Sequence, residues 1–339
     1  MERAHAKVMS GASILSSMSR LSEIGEKEAV RRILGDITEK EGTSTIGPGD
    51  DAAAVDLGAL YLVASTDTIT QSSHVMKGMT DWQIGWTVAA VNFSDMAAMG
   101  AKPIGLLVSM GLPRDFESER LDNIMGGILD CCESVGGELL GGDTKEAKEI
   151  TLTGTALGTV GKRSILLRKG ASPGDFLAVT GTLGMAAAGY YSIIKDLKNK
   201  KVEKAILEPQ PRIKEGMALS SSGVVTSCMD ISDGLASSIF ALSEAGQVSF
   251  ELDYGAIPVD REVGKVAEAS GQKVEDLVLY YGGDYQLLFT FKPEGINTLR
   301  SRLGSAFSVV GKVKAMGENL LVKGVRIVPL ENRGYEHFR

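Results

Sequence analysis

The segment from Thr80 to Pro103 constrains the fold most, because it combines helix start and stop signals with strand-like sequence on either side. Thr80 and Gln83 have the spacing of a capping box, and Gly100 with Pro103 supplies the stop signal. Five apolar residues recur at helical spacing and predict a face directed to the core: Trp82, Trp86, Ala89, Phe93 and Met96. We therefore expect one helix here, with Asn92 and Asp95 on a different face.

Strand-like runs flank this helix. ALYLVAS at 59–65 predicts a strand leading to Thr66 and Asp67, and IGLLVSMGL at 104–112 predicts a buried strand. A second helix is predicted for FESERLDNIMGGILDCCESV, and the alternating run ITLTGTALGTVG predicts a further strand. This β-α-β-α-β order is typical of an α/β sandwich.

The second half of the chain repeats the mixture of strands and helices. FLAVTG predicts a strand, LGMAAAGYYSIIKDL predicts a helix, and NLLVKGVRIVPL predicts one C-terminal strand. A boundary is expected near 161–172, and 339 residues are enough for two domains. We therefore expect two α/β sandwich domains, at 21–162 and 163–339, preceded by a disordered extension over residues 1–20.

Composition excludes several classes of function. A net charge of −7 and a pI near 5.2 argue against binding to nucleic acid or to an anionic membrane. Three cysteines without a C-x-x-C pair indicate neither a disulfide framework nor a cysteine metal site. No apolar run approaches the roughly 18 residues that span a bilayer, and the N-terminus lacks a signal-peptide pattern. We expect a cytoplasmic protein.

Aspartates recur beside Gly, Ser or Thr at the ends of apolar runs: Asp50 and Asp51 in GPGDD, Asp67, Asp95, Asp143 in an acidic turn GGDT, Asp230, Asp233 and Asp284. Taken singly, each is more often a turn former or a helix cap. Taken together, they offer the hard oxygen ligands with which Mg²⁺ bridges protein and nucleotide phosphates. Two like charges 4 Å apart repel by roughly 4 kcal/mol at an effective dielectric near 20, so a converging set would require cations.

Other motifs are absent or incomplete. Residues 47–52 match the loose pattern G-x-G-x-x-A, but this stretch lacks the strand before it and the helix after it. The sequence contains no P-loop, kinase catalytic loop or G-x-S-x-G elbow, and its three histidines do not form a zinc-binding or triad pattern. Metal-assisted phosphoryl transfer remains compatible with this composition, since metals and positioning supply most of its catalysis.

Six motifs, in the order GPGDDAAAV, STDTITQSSH, AVNFSDMAAMGAKP, LLGGDT, DISDGL and GGDYQLLF, resemble the thiamine-monophosphate kinase family. That family belongs to the superfamily of aminoimidazole-ribotide synthetase and selenophosphate synthetase. The resemblance covers about residues 21–338 and implies transfer of the γ-phosphoryl group of ATP to thiamine monophosphate, giving thiamine diphosphate and ADP. It also implies several Mg²⁺ ions and no covalent enzyme intermediate.

The resemblance implies an architecture as well. Two α/β sandwich domains of the aminoimidazole-ribotide synthetase type would enclose the active site in the cleft between them. The N-terminal domain would bind ATP and Mg²⁺, and it would pair with a second copy through its sheet to form a homodimer.

The resemblance also implies roles for individual residues, which are assigned motif by motif. The implied Mg²⁺ ligands are Asp51, Ser65, Thr66, Asp67, Asp95, Asp143, Asp230 and Asp233, of which Asp143, Asp230 and Asp233 are also implied to be catalytic. The implied ATP contacts are Gly142, Asp143, Arg168 and Ser232, and the implied substrate contacts are His74, Gly283, Asp284 and Tyr335. Without the resemblance, Arg168 also fits a solvated charge, His74 a structural histidine, and Tyr335 a hydrophobically docked tail.

One motif departs from the family. Family members often have GGEDYEL, whereas this chain has YGGDYQL, with Gly283 and Gln286 in place of two acids. Acceptor binding would then fall to other groups, such as Asp284. Two alternatives remain open: another enzyme of the superfamily, similar to aminoimidazole-ribotide synthetase, and a non-catalytic nucleotide-binding subunit. The SDMAAMGA and GYEHF motifs disfavour the first, and only the changed 283–286 region favours the second.

Overall fold

The computed structural model describes residues 20–35 and 45–338, and these fall into two units. The smaller unit contains helix α1 (Leu21–Gly35) and the chain end from residue 336. The larger unit contains the remaining described residues up to Tyr335. The disordered extension predicted over residues 1–20 lies, apart from its last residue, outside the described residues.

The first half of the larger unit is built on one sheet. Its strands are β1 (Ala53–Asp56), β2 (Leu60–Thr70), β3 (Lys102–Leu112), β4 (Glu138–Glu146) and β5 (Thr151–Gly161). They lie in the order β1-β2-β5-β3-β4, with β3 and β4 parallel and the other neighbours antiparallel. The strand predicted at 59–65 continues to Thr70, so Asp67 lies inside β2 and does not follow it.

Three helices accompany this sheet: α2 (Gln71–His74), α3 (Asp81–Ala98) and α4 (Ser118–Val135). The predicted capping box of α3 is confirmed, since Gln83 N–H donates to Thr80 Oγ1 at 3.2 Å and Thr80 N–H donates to Gln83 Oε1 at 3.0 Å. The predicted core residues Trp86, Ala89, Phe93 and Met96 are buried, and residues on the other sides of α3, such as Val88 and Ala90, are buried as well. A helix that is apolar all round is typical of a core position between layers.

A second sheet organises the other half. Its strands are β6 (Phe176–Thr180), β7 (Val225–Asp230), β8 (Ser249–Asp253), β9 (Leu287–Phe291), β10 (Phe307–Lys314), β11 (Leu320–Lys323) and β12 (Arg326–Pro329). Their order is β12-β11-β8-β10-β6-β9-β7. The prediction of one C-terminal strand was wrong, because the chain reverses at Gly324, whose φ of 61° suits a tight turn, and forms the β11–β12 hairpin.

The helices of this half are α5 (Met185–Ile194), α6 (Lys200–Leu207), α7 (Ile213–Ser220), α8 (Leu235–Gly246), α9 (Arg261–Ser270), α10 (Val274–Leu279) and α11 (Ile296–Leu303). The apolar core around α3 extends into this half and includes Phe289, Phe291 and Phe307. A polar bond joins the halves as well, since the Trp86 indole N–H donates to the Pro209 carbonyl at 2.7 Å. The domain boundary near residue 162 stays a prediction.

Helices α3 and α4 pack against one face of the first sheet, and the opposite, open face carries exposed apolar side chains among the described residues. Five large apolar side chains on the open face are 39–45% exposed: Val55, Leu60, Ile104, Leu107 and Leu140. Such a patch is typical of a surface that contacts another protein. Among the helices of the described residues, none has the length and apolar character needed to cross a membrane.

Candidate active site

Three aspartates from different elements converge where the two halves of the larger unit meet. Asp51 follows the glycine–proline turn, Asp95 lies in α3, and Asp230 ends β7. Each offers a carboxylate oxygen, and these oxygens lie within 4.8 Å of one another. We call Asp51, Asp95 and Asp230 the acid cluster.

Side-chain donors hold the carboxylates of the acid cluster in place: Ser65 Oγ donates to Asp95, Ser94 Oγ to Asp230 at 2.6 Å, and Arg168 Nη2 to Asp51 at 2.7 Å. Within the described residues, Oδ2 of Asp51 is buried without a hydrogen-bond partner, and so is Nε of Arg168. A buried polar atom without a partner is costly, and one at a cluster of acids is consistent with a bound ion or water. A hard divalent cation such as Mg²⁺ fits this set of carboxylate oxygens.

Burial and mutual repulsion raise the pKa values of these acids. Desolvation, followed by the charge of Asp51, raises the pKa of Asp230 to about 7. Desolvation and then the charge of Asp230 raise the pKa of Asp95 well above its ordinary value. The pKa of Asp50, whose carboxylate accepts from the Arg168 backbone N–H at 3.2 Å, is raised to about 6 by burial and by Asp51. The cluster therefore favours any bound cation, whether a proton or a metal ion.

The alternation of β2 separates the predicted ligands on that strand. Ser65 and Asp67 lie on the face toward α3, where Asp67 N–H donates to Asn92 Oδ1 at 2.9 Å. Thr66 lies on the opposite face, and its hydroxyl donates to the Gly154 carbonyl at 2.8 Å. The predicted contact of Thr66 with a metal would therefore come from its backbone oxygen and not from its hydroxyl.

The loop that carries Ser232 and Asp233 lies against the segment 282–285. Gly283 N–H donates to the Ser232 carbonyl at 2.7 Å, and Tyr285 N–H donates to the Ile231 carbonyl at 3.0 Å. Gly282 is required here, since a Cβ at that position would lie 2.2 Å from the Ser232 carbonyl oxygen. These contacts place the 282–285 segment beside the predicted metal-binding loop.

Sequence reasoning missed two residues of this site. Ser94, which bonds Asp230, lies beside Asp95 in α3, and the serine of the NFSD motif was the available signal. Tyr285 has a left-handed φ of 47°, which is uncommon for a residue other than glycine. Burial, and next the charge of Asp67, raise the pKa of the Tyr285 phenol well above its ordinary value, so the phenol stays protonated near the acids.

Gly142 and Asp143 lie inside the edge strand β4, so the prediction of an acidic turn at GGDT was wrong. The register aligns Gly142, Val108, Gly154 and Asp67 across four adjacent strands, which separates the two outer residues by three strand spacings, about 14 Å. The Asp143 side chain is exposed and pairs with Lys145 at 3.3 Å. Among the described residues, Asp143 is not part of the acid cluster, and its metal role stays a prediction.

Two predicted substrate contacts occupy defined positions. His74 ends α2, and its Nδ1 accepts from the Thr70 backbone N–H at 3.1 Å, which fixes the ring tautomer. Tyr335 N–H donates to the Asp233 carbonyl at 3.0 Å, which places Tyr335 against the predicted metal-binding loop. The Tyr335 side chain is 49% exposed.

Asp284 caps a helix. Its Oδ2 accepts from Gly184 N–H at 2.6 Å and its Oδ1 accepts from Ala186 N–H at 2.9 Å, at the start of α5. Burial raises its pKa to about 6 despite these donors. Gln286 lies within the core, where its Oε1 accepts from the Thr180 hydroxyl at 3.0 Å. Both Asp284 oxygens thus position α5, and a direct substrate contact stays a prediction.

Family models match most of the chain. The model for the AIR synthase related protein N-terminal domain matches residues 49–160, and the C-terminal domain model matches residues 172–322. The fold and the acid cluster therefore define a member of the AIR synthase related class, with its two α/β domains.

Individual relatives narrow this class. The chain is 36% identical over 288 residues to the thiamine-monophosphate kinase of Methanospirillum hungatei JF-1, covering 85% of this chain and 92% of the relative. It is 31% identical to the thiamine-monophosphate kinase of Pyrococcus abyssi, covering 85% and 90%. A solved structure described as AaThiL complexed with AMPPCP and TMP has a TM-score of 0.81 at 26% identity, covering 95% of this chain and 100% of the other. This chain belongs to the thiamine-monophosphate kinase family, as its motifs predicted.

Proposed function

We propose that the protein transfers the γ-phosphoryl group of ATP to the phosphate of thiamine monophosphate, forming thiamine diphosphate and ADP. The observation that carries this proposal is the acid cluster, in a chain that shares family and fold with thiamine-monophosphate kinases. The similar AaThiL structure, described as complexed with AMPPCP and TMP, supports both the donor and the acceptor.

Asp51, Asp95 and Asp230 would hold Mg²⁺, and Asp67 and Asp233 are the predicted ligands of further ions. Bound Mg²⁺ would neutralise phosphate charge and orient the group that is transferred. The unpartnered Oδ2 of Asp51 and the crowding of three carboxylates support this assignment. Ser94 and Ser65 orient Asp230 and Asp95 through their hydroxyl groups.

The remaining residues would bind the two substrates. Arg168, fixed by Asp51, would direct its remaining N–H groups to nucleotide phosphates. Gly142 and Ser232 would contact the nucleotide through the main chain, as would Asp143, which follows Gly142 on β4. The substrate side would be formed by His74, Gly283 and Tyr335, with Asp284 fixing the position of α5. Asp233 and Asp143 would complete the predicted catalytic set with Asp230.

The protein would act as a homodimer in the cytoplasm. The open apolar face of the first sheet supports pairing with a second copy, because five large apolar side chains on this one face are 39–45% exposed. The three buried, unpaired cysteines support a reducing compartment.

The test is an assay of ADP release with ATP and Mg²⁺, with and without thiamine monophosphate, in which thiamine diphosphate is identified directly. We expect product only with the acceptor, and none with EDTA. The Asp95→Asn variant controls for a contaminating kinase, and Asp196→Asn, at a carboxylate 83% exposed, controls for substitution itself. ATP binding without acceptor-dependent product would contradict the proposal and favour the nucleotide-binding subunit.

Turnover with aminoimidazole-ribotide precursors and not with thiamine monophosphate would favour the other superfamily enzyme.

A further inference from the structure

Arg212, which directly precedes α7, is a half-buried cation with unmet hydrogen-bonding capacity. Its side chain is 28% exposed, and its Nε is buried without a partner among the described residues. The contact from Nη1 to Glu215 Oε1 measures 3.7 Å, which is too long for a hydrogen bond. A guanidinium has five N–H donors, so this arrangement leaves most of them available for an anion.

Helix α3 fixes the backbone on both sides of Arg212. Before it, the Pro209 carbonyl accepts from the Trp86 indole N–H at 2.7 Å. After it, α7 packs so closely that a Cβ at Gly216 would lie 2.1 Å from the Ala97 carbonyl oxygen. Arg212 is therefore held along the same helix that carries Ser94 and Asp95.

The charge of Arg212 reaches the segment that contains Asp284. The Arg212 charge lowers the pKa of Asp284, opposing the larger effect of burial, so the two groups lie within electrostatic reach. Asp284 does not satisfy the guanidinium, because its oxygens accept from the backbone N–H groups of α5. The neighbouring Gly283 donates its N–H to the carbonyl of Ser232, which lies in the loop that also carries Asp233. Arg212 is thus within electrostatic reach of a segment that contacts the loop of Ser232 and Asp233, and its own charge is incompletely balanced.

Arg168 and Arg212 differ in their partners. Arg168 bonds Asp51 in the acid cluster. Burial lowers the pKa of Arg212 below its ordinary value, because it outweighs the opposing charges of Glu215 and Asp284. Arginine remains protonated near neutral pH in spite of such a shift. The planar guanidinium matches phosphate oxygens with two parallel hydrogen bonds, which a lysine does not reproduce.

We propose that Arg212 binds the phosphate monoester of the acceptor and so selects phosphorylated over unphosphorylated acceptors. This inference rests on the proposed function, since it names the residue that recognises the acceptor's phosphate. The guanidinium holds that phosphate in position while the acid cluster and Arg168 serve the nucleotide. The competing explanation is a structural role in which Arg212 supports α7 through Glu215.

The test is a binding cycle with two ligands that differ only in the phosphate. Thiamine monophosphate and thiamine are titrated calorimetrically into wild-type protein and Arg212→Gln, with Mg²⁺ and a non-hydrolysable ATP analogue present. We expect the substitution to weaken thiamine monophosphate binding 10- to 100-fold and to leave thiamine binding within twofold. In steady-state kinetics, KM for thiamine monophosphate should rise by a similar factor while KM for ATP stays within twofold.

Glu215→Gln is the matched control, because it removes the ionic contact of Arg212 and keeps the guanidinium. It should leave both affinities unchanged, and an effect equal to that of Arg212→Gln would overturn the inference in favour of the structural role. Equal losses for both ligands, or no loss for either, would overturn it as well. Should Arg212→Gln fail to fold, Arg212→Lys serves the same cycle, with a smaller selective loss expected and the same contrary outcomes.

The two proposals fail separately. If wild-type protein forms thiamine diphosphate but Arg212→Gln does not discriminate between the ligands, only the Arg212 inference is wrong. If wild-type protein forms no thiamine diphosphate yet binds thiamine monophosphate more tightly than thiamine in an Arg212-dependent way, only the proposed function is wrong. If wild-type protein does not prefer the phosphorylated ligand, the Arg212 inference is wrong whatever the turnover.

Discussion

The acid cluster and Asp284 are both buried carboxylate sites with raised pKa values, yet their surroundings differ. Asp284 stands alone and accepts two backbone N–H groups at the start of α5. The acid cluster brings three carboxylates within 4.8 Å and leaves one buried oxygen without a partner among the described residues. A raised pKa therefore does not separate a binding site from a structural cap, whereas the supply of donors does.

Replacing Asp95 with Asn should produce the largest effect on activity. The amide keeps an acceptor for Ser65 but removes a negative charge from the cluster, so kcat/KM should fall at least about 100-fold, or about 3 kcal/mol. Without metal, the same variant should unfold at the same or a higher temperature, because repulsion by Asp230 is relieved. If Asp95→Asn keeps full activity and unfolds at a lower temperature in EDTA, Asp95 has a structural role like that of Asp284 and not a role in cation binding.

Replacing Asp284 with Ala should have the opposite signature. Loss of an acceptor for two buried N–H groups should lower the free energy of unfolding by about 1–3 kcal/mol, as measured by denaturant titration. Asp260→Ala is the matched control, since Asp260 caps α9 by accepting from Glu262 N–H at 2.9 Å. Both variants should lose stability, and only the Asp284 variant should also raise KM for the acceptor. Unchanged stability in Asp284→Ala would contradict its role as a cap.

The acid cluster and the Asp284 cap should both contribute to the pH dependence of stability. Folding raises the pKa of Asp230 to about 7 and of Asp50 and Asp284 to about 6, so the folded state binds more protons than the unfolded state between about pH 4 and 7. These groups therefore favour folding at low pH, and Tm of metal-free protein should fall as pH rises through that window. Added Mg²⁺ should raise Tm more at pH 8 than at pH 5, which calorimetry measures. An Mg²⁺ effect that is larger at pH 5 would contradict cation binding by the cluster.

Replacing Asp143 with Asn should have the smallest effect on stability. Its side chain is exposed and its partner Lys145 is exposed too, so the free energy of unfolding should change by less than about 0.5 kcal/mol. If Asp143 serves the nucleotide, KM for ATP should rise while KM for the acceptor does not. A large loss of stability would place Asp143 with the structural carboxylates.

Local sequence signals predicted the elements whose ends depend on local chemistry. The bounds of α3 followed from Thr80, Gln83 and Gly100, whose effects act within one turn of the helix. Features that depend on distant partners were missed. The burial of α3 on all sides arises from the second half of the chain, and Asp143 is extended because β4 pairs with β3.

In the candidate site, too, local sequence does not reveal the features that depend on distant partners. Each acid of the cluster looks locally like a turn former or a cap, and the motif resemblance, not spacing, selected them as a group. Ser94 and Tyr285 join the site only through tertiary contacts, and the unpartnered donors of Arg212 are visible only once α3 and α7 are packed.

Adjacent residues of α3 hold opposite halves of the larger unit. Ser94 bonds Asp230 of the second half, and Asp95 bonds Ser65 of the first. Because α3 belongs to the first half, a rigid-body rotation of one half against the other would have to break the Ser94–Asp230 bond and separate the shared apolar core. We therefore expect α3 to resist relative movement of the two halves, and the motions of turnover to take place in the loops around the acid cluster.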